Sequence, residues 1–138
     1  MKKELSVNST TENLKSIRDF IKYEALDAGF ADEAANKIIL AVDEACTNII
    51  KHAYKYSIEG LINISVLNEN NKFVVSIIDN GGHFNPNEVP EPDVKEYHKQ
   101  RKPGGLGMFL MKKLMDEVIY NNLSDNRNQV VLVKNLPQ

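Results

Sequence analysis

The chain has 138 residues, of which 42% are hydrophobic and 26% charged, and its net charge is −2. That length is one domain, residues 1–138, with a sizeable core; the balance excludes a disordered or fibrous chain, and the slight acidity argues against nucleic-acid backbone as the main partner. The single cysteine, Cys46, excludes an internal disulfide, the first residues lack a signal-peptide run, and nothing approaches the roughly 20 apolar residues of a membrane span, so the expected setting is cytoplasmic.

Residues 3–8 alternate polar and apolar and predict a short strand. Ser9, Thr10 or Thr11 offers a cap to a helix carrying Leu14, Ile17, Ile21 and Ala25 at helical spacing, with Gly29 as its stop. Asp32 is placed to cap a second helix, whose stripe is Ile38, Val42, Ala45 and Ile49 and which runs to about Tyr54. Residues 61–67 and 72–78 are strands of a hairpin turned at Asn68-Glu69-Asn70-Asn71. Asp79-Asn80-Gly81-Gly82 ends the second strand. Residues 84–103 hold four of the five prolines and many charges, and predict a long loop, of a length that in a compact domain is usually functional or mobile. A third helix follows from about Leu106 to Met115. Residues 117–123 and 129–134 form a last hairpin, turned at Ser124-Asp125-Asn126. The order predicts an α+β two-layer sandwich, with a largely antiparallel sheet and helices on one face.

Three groups of residues could carry chemistry. Glu44, Asn48 and His52 recur at every fourth residue of the second helix and so form one slanting polar stripe. An amide oxygen beside a carboxylate suits a hard cation such as Mg²⁺ together with a proton transfer. The same stripe would serve equally as a solvated helix face, and His52 as a packing or capping residue. Asp79 ends a strand where a carboxylate would accept a hydrogen bond from an exocyclic amine such as adenine's, and the adjacent glycines let backbone approach a flat ring. An ordinary turn reads the same way. Gly104-Gly105-Leu106-Gly107 leads into a helix, where exposed N–H groups and the helix dipole favour phosphate, with Lys99, Arg101 and Lys102 upstream; a plain hinge is the alternative. The run is neither a Walker A sequence nor a dinucleotide fingerprint. Cys46 lies on the other side of the second helix from Glu44, and is expected to be buried and inert. His83 and His98 show no metal-ligand spacing.

Taken in order, Glu44-Ala45-Cys46-Thr47-Asn48…His52-Ala53-Tyr54, then Asp79-x-Gly81, then Gly104-Gly105-Leu106-Gly107-Met108-Phe109-Leu110 resemble the GHKL ATP-binding superfamily. Within it the sequence is similar to the anti-sigma-factor serine/threonine protein kinases, over nearly the whole chain. It departs at His83, where the superfamily often has a second glycine.

The resemblance implies a GHKL (Bergerat) fold with a mostly antiparallel mixed sheet. It implies ATP and Mg²⁺ as cofactors, with Asn48 on the metal and Glu44 as catalytic base. Asp79 would bind the adenine amine, with Gly81 flanking the ring. Residues 84–103 would be an ATP lid, and Lys102, Gly104, Gly105, Leu106 and Gly107 would hold the phosphates. It further implies a homodimer that phosphorylates a STAS-domain anti-anti-sigma protein and sequesters a sigma factor, with no nucleic acid and no membrane involved. The alternative is a nucleotide-gated binding module with little or no kinase activity; Glu44 favours the kinase, since a pure binder needs no base there.

Overall fold

A computed structural model describes residues 2–55, 59–81 and 103–137, with backbone alone for 103–108 and 125. Strand β1 (Lys3–Asn8) leads to a short 3₁₀ turn, Thr11–Asn13, capped by the Thr10 side chain, and then to helix α1 (Leu14–Asp27). Ile17, Ile21 and Ala25 are buried at the predicted spacing. Gly29 takes a positive φ of 103°, and Gly29 and Phe30 donate their N–H groups back to Leu26 and Ala25, which closes the helix as the glycine predicts.

Helix α2 (Asp32–Asn48) is entered from Ala31, which gives no side-chain cap, so Asp32 is the first helical residue rather than the cap. Asp32 and Glu33 still place negative charge in the first turn, where the helix dipole favours it. The predicted stripe of Ile38, Val42, Ala45 and Ile49 is buried. After Asn48 the helix widens into a π turn, Ile49–Ala53, closed by the Tyr54 N–H on the Ile49 carbonyl at 3.0 Å.

Strands β2 (Leu61–Glu69) and β3 (Lys72–Asp79) form the predicted hairpin. Its two turn residues, Asn70 and Asn71, have φ of 53° and 62°, the left-handed pair that a tight hairpin requires and asparagine tolerates. Helix α3 (Pro103–Leu114) starts earlier than predicted. Proline suits a first helical turn, because its φ is already helical and its missing N–H would have no partner there. The glycines that looked like a lead-in are therefore helical in backbone, their weak propensity overridden by packing against α2. The chain ends in β4 (Glu117–Asn122) and β5 (Asn128–Asn135).

The sheet runs β1-β2-β3-β5-β4, and all four pairings are antiparallel. The expected mixed character is thus absent among the described residues. The crossover through α3 leaves β4 pointing the same way as β3, but β5 slots between them and pairs antiparallel with both. One face of the sheet, with Ile62, Ile64, Val66, Phe73, Val75, Ile77, Val130 and Leu132, packs against the helices. Phe30 meets Phe73 edge to face at 5.4 Å. Helix α2 lies against both α1 and α3. Beyond α3, Lys134 Nζ donates to the Leu114 carbonyl at 2.9 Å, and Asp116 accepts the Asn135 N–H at 2.7 Å, so the C-terminal end of the helix is tied to β5.

Candidate nucleotide site

Alternation along β3 turns Phe73, Val75, Ile77 and Asp79 to the inner face, so the last inward residue is a carboxylate. Asp79 is only 5% exposed. Its Oδ1 accepts the Gly81 N–H at 2.9 Å and the Asn128 amide at 3.1 Å. Asn128 stands opposite Asp79 in the β3–β5 register and also reaches the Gly81 carbonyl at 3.3 Å. Burial pushes the Asp79 carboxyl above the ordinary aspartate value of 3.8, and the bonds from Asn128 and Gly81 oppose that rise. Both hydrogen bonds fall on Oδ1, and Oδ2 has no hydrogen-bond partner among the described residues.

The turn after Asp79 rests on the end of α2. A Cβ at Gly81 would lie 2.5 Å from the Ala53 Cβ and 2.8 Å from the Ala53 backbone, so only glycine fits. The Tyr54 hydroxyl accepts the Asn80 N–H at 2.7 Å and donates to the Leu61 carbonyl at 2.7 Å. The Ala53-Tyr54 pair of the sequence motif is thus the seat on which the Asp79-Asn80-Gly81 turn is built.

Glu44 and Asn48 lie one turn apart on α2, both half-buried. Neither side chain makes a hydrogen bond or ion pair among the described residues. The stripe does not extend regularly to His52: the π turn changes the angular step per residue, and His52 is exposed. Asp43, beside Glu44 in sequence, is held by Arg18 of α1 at 2.9 Å. Cys46 is fully buried as expected, and desolvation, with the charges of Asp43 and Asp79 adding to it, pushes its thiol well above the ordinary range.

The glycine run at Gly104, Gly105, Leu106 and Gly107 forms the first turns of α3, where backbone N–H groups lack helical partners. Side-chain roles there, together with Lys99, Arg101, Lys102, His83, His98 and all of the lid expected at 84–103 but its last residue, the helical Pro103, lie outside the described residues. Among the described residues no group of three or more His, Cys, Asp or Glu side chains could hold a metal ion. The Asn48 amide oxygen is of the kind a hard cation such as Mg²⁺ takes, as one ligand among several. No described helix is long and apolar enough to cross a membrane.

Two residues that shape the site were not assigned roles from the sequence. Asn128 lies 49 positions from Asp79, and its signal is a polar residue on the inner-facing alternation of Val130 and Leu132. Tyr54 was visible as part of a motif, but its bonding depends on the strand that follows it.

The family described as Histidine kinase-like ATPase domain matches residues 7–134. A serine-protein kinase RsbW of Listeria monocytogenes is 40% identical over 95 residues, 66% of this chain and 60% of that protein. The RsbW of a Bacillus cereus strain is 31% identical over 119 residues, 83% of this chain and 74% of its own. The chain thus spans about 60% of the length of the Listeria relative. A solved structure of the RsbU and RsbW domains of Rv1364c from Mycobacterium tuberculosis superposes with a TM-score of 0.71 at 14% identity, covering 100% of this chain and 33% of that one, a likeness of fold. With the family's sequence pattern running over residues 7–134, and with relatives named RsbW similar over most of the chain, the chain belongs to the histidine kinase-like ATPase family.

Proposed function

We propose that the protein binds ATP and transfers its terminal phosphoryl group to a serine or threonine of a STAS-domain anti-anti-sigma protein. It would work as a homodimer that also sequesters a sigma factor, so that the two protein partners compete. The observation that carries this reading is the pairing of a pre-bonded Asp79, with Oδ2 left over, and a carboxylate, Glu44, one turn before Asn48.

In this reading Asp79 Oδ2 accepts the adenine amine, and Gly81 leaves room for the ring. The α3 N-terminus, with Gly104, Gly105, Leu106 and Gly107, and Lys102 upstream of it, receives the phosphates. Asn48 would hold Mg²⁺, which supplies charge neutralisation along the phosphates. Glu44 takes the proton of the attacking hydroxyl as the new oxygen–phosphorus bond forms, the bond to the leaving ADP breaks, and the electron pair of that bond leaves with ADP. Asp43 is turned to Arg18 and is the natural control, because its carboxylate already has a partner.

The test is phosphate incorporation from labelled ATP into a purified STAS-domain partner, with ATP affinity measured by calorimetry on the same preparations. Glu44→Gln keeps the shape and removes the base. It is expected to bind ATP nearly as the wild type does and to lose about 10²–10⁴-fold in transfer. Asp43→Asn is expected to retain most of the transfer. A Glu44→Gln protein that phosphorylates as fast as the wild type removes Glu44 from the role of base. A wild type that binds ATP and phosphorylates no such partner favours the nucleotide-gated binding module.

A further inference from the structure

Tyr54 follows the π turn that closes α2, and its hydroxyl has no spare hydrogen-bonding capacity. It donates to the Leu61 carbonyl at 2.7 Å, and it accepts the Asn80 N–H at 2.7 Å and the Leu61 N–H at 3.3 Å. One donor and two acceptor positions are all that a phenol offers. The bonds tie three pieces of chain together: the end of α2, the start of β2 and the turn that carries Asp79. The ring has its own seat, since a Cβ at Gly60 would lie 2.5 Å from two of its carbons. The residue before it, Ala53, packs directly on Gly81. A π turn places an extra residue in the helical circuit, and here it delivers Ala53 and Tyr54 together onto the Asp79-Asn80-Gly81 turn.

We infer that Tyr54 is a positioning residue for base selection: its hydroxyl fixes the Asn80 backbone, and through it the direction in which Asp79 presents Oδ2. The inference rests on the reading of Asp79 as the adenine acceptor and adds what holds that acceptor in place. A carboxylate discriminates an amine from a carbonyl only if it cannot swing away, and Asp79 is fixed from two sides. Asn128 and Gly81 hold its Oδ1, and Tyr54 holds the backbone between Asp79 and Gly81. Without the Tyr54 hydroxyl the Asn80 N–H loses its acceptor and the turn relaxes toward solvent. The amine contact then weakens, while contacts to ribose and phosphates stay as they were.

The experiment compares ATP with inosine triphosphate, which carries a carbonyl where adenine carries its amine, on wild type, Tyr54→Phe and Val75→Ala. Val75 is fully buried in the sheet and distant in register from Asp79, so its truncation destabilises the fold without touching the turn. Wild type is expected to prefer ATP by about 10- to 100-fold by calorimetry. Tyr54→Phe should reduce that preference to about threefold or less, through ATP affinity alone. Val75→Ala should melt at a lower temperature and keep the wild-type preference. A Tyr54→Phe protein with the wild-type ratio overturns the role of Tyr54 and leaves Asp79 untouched. A wild type with no preference overturns the Asp79 reading, and the role of Tyr54 falls with it. Amide hydrogen exchange on the wild type needs no variant: protection at Asn80 supports the bond to Tyr54, and exchange there at the free-peptide rate overturns it.

Discussion

Asp79, at the end of β3, receives hydrogen bonds from Gly81 and Asn128, whereas Glu44 and Asn48 on α2 make no side-chain hydrogen bond among the described residues. The β3 turn is also pinned through its backbone by Tyr54 and shaped by the close approach of Ala53 to Gly81. Under the proposed function, recognition and reaction would make different demands on the chain. Selecting a base would require an acceptor that stays in one direction, and the fold commits bonds to Asp79. Under the proposed function, transferring a proton and holding a metal would require polar ends that bond to what enters the site, and α2 fixes only where such ends start from. The contrast predicts that substitutions at the β3 turn change both stability and binding, whereas substitutions on the α2 stripe change binding or transfer and leave stability nearly as it was.

The harshest way to break this contrast is Gly81→Ala. The added Cβ has Ala53 backbone at 2.8 Å, which cannot rotate away as a side-chain tip would. Overpacking of this kind costs about 1–3 kcal/mol, which lowers the melting temperature by roughly 4–12 °C. ATP affinity should fall with it. A Gly81→Ala protein that melts and binds as the wild type does would show that the turn is not tightly seated.

Asp79→Asn sharpens the comparison. Its oxygen can still accept the bonds from Gly81 and Asn128, but an amide donor then faces the adenine amine, and ATP affinity should fall about tenfold or more. Stability should move the other way. Because burial raises the Asp79 pKa, the folded state favours the protonated acid. That contribution is fully present below the ordinary value of 3.8 and is lost as pH rises through the raised folded value. Asparagine has no such loss, so between pH 3 and pH 7 the variant should gain on the wild type in urea unfolding. A variant clearly less stable than wild type at neutral pH would mean that the carboxylate is stabilising after all.

Asn48→Ala should have the smallest effect on the fold, within about 0.5 kcal/mol, since no protein bond is lost. The part of ATP affinity that depends on Mg²⁺ should drop. Unchanged affinity with and without Mg²⁺ would remove Asn48 from the metal, and a large loss of stability would erase the contrast between the two regions.

Much of this arrangement was legible because its signals are local. Alternating Ile and Val in 61–67 and 72–78 gives strands, two asparagines between them give the turn, and Ile38, Val42, Ala45 and Ile49 give the buried side of α2. Helical spacing places Glu44 and Asn48 on one stripe, and the roles given to them come from the family resemblance. What stayed hidden depends on non-local neighbours. Asn128 meets Asp79 only because β5 is inserted between β3 and β4, and no local pattern states that order. The pairing of Arg18 with Asp43 likewise depends on how α1 crosses α2. The π turn is invisible for a different reason: nothing in the composition of Ile49–Ala53 marks an extra residue, and its neighbours, such as Gly81 against Ala53, lie further along the chain. The early start of α3 was masked by its glycines, which read as helix breakers yet stand in a helix braced by α2.

The bonds around the β3 turn bear on the chemical lifetime of the protein as well as on its specificity. Asn80-Gly81 is the kind of dipeptide that ages fastest in solution, because the unhindered glycine nitrogen attacks the asparagine side chain, expels ammonia and closes a succinimide. That ring needs a Gly81 nitrogen free to swing over the Asn80 carboxamide. In the fold its N–H is given to Asp79, the glycine is pressed against Ala53, and the Asn80 N–H is given to Tyr54. Deamidation at this pair is therefore slowed for as long as the turn stays closed, and each excursion that opens the turn also exposes its asparagine to irreversible conversion into aspartate or isoaspartate.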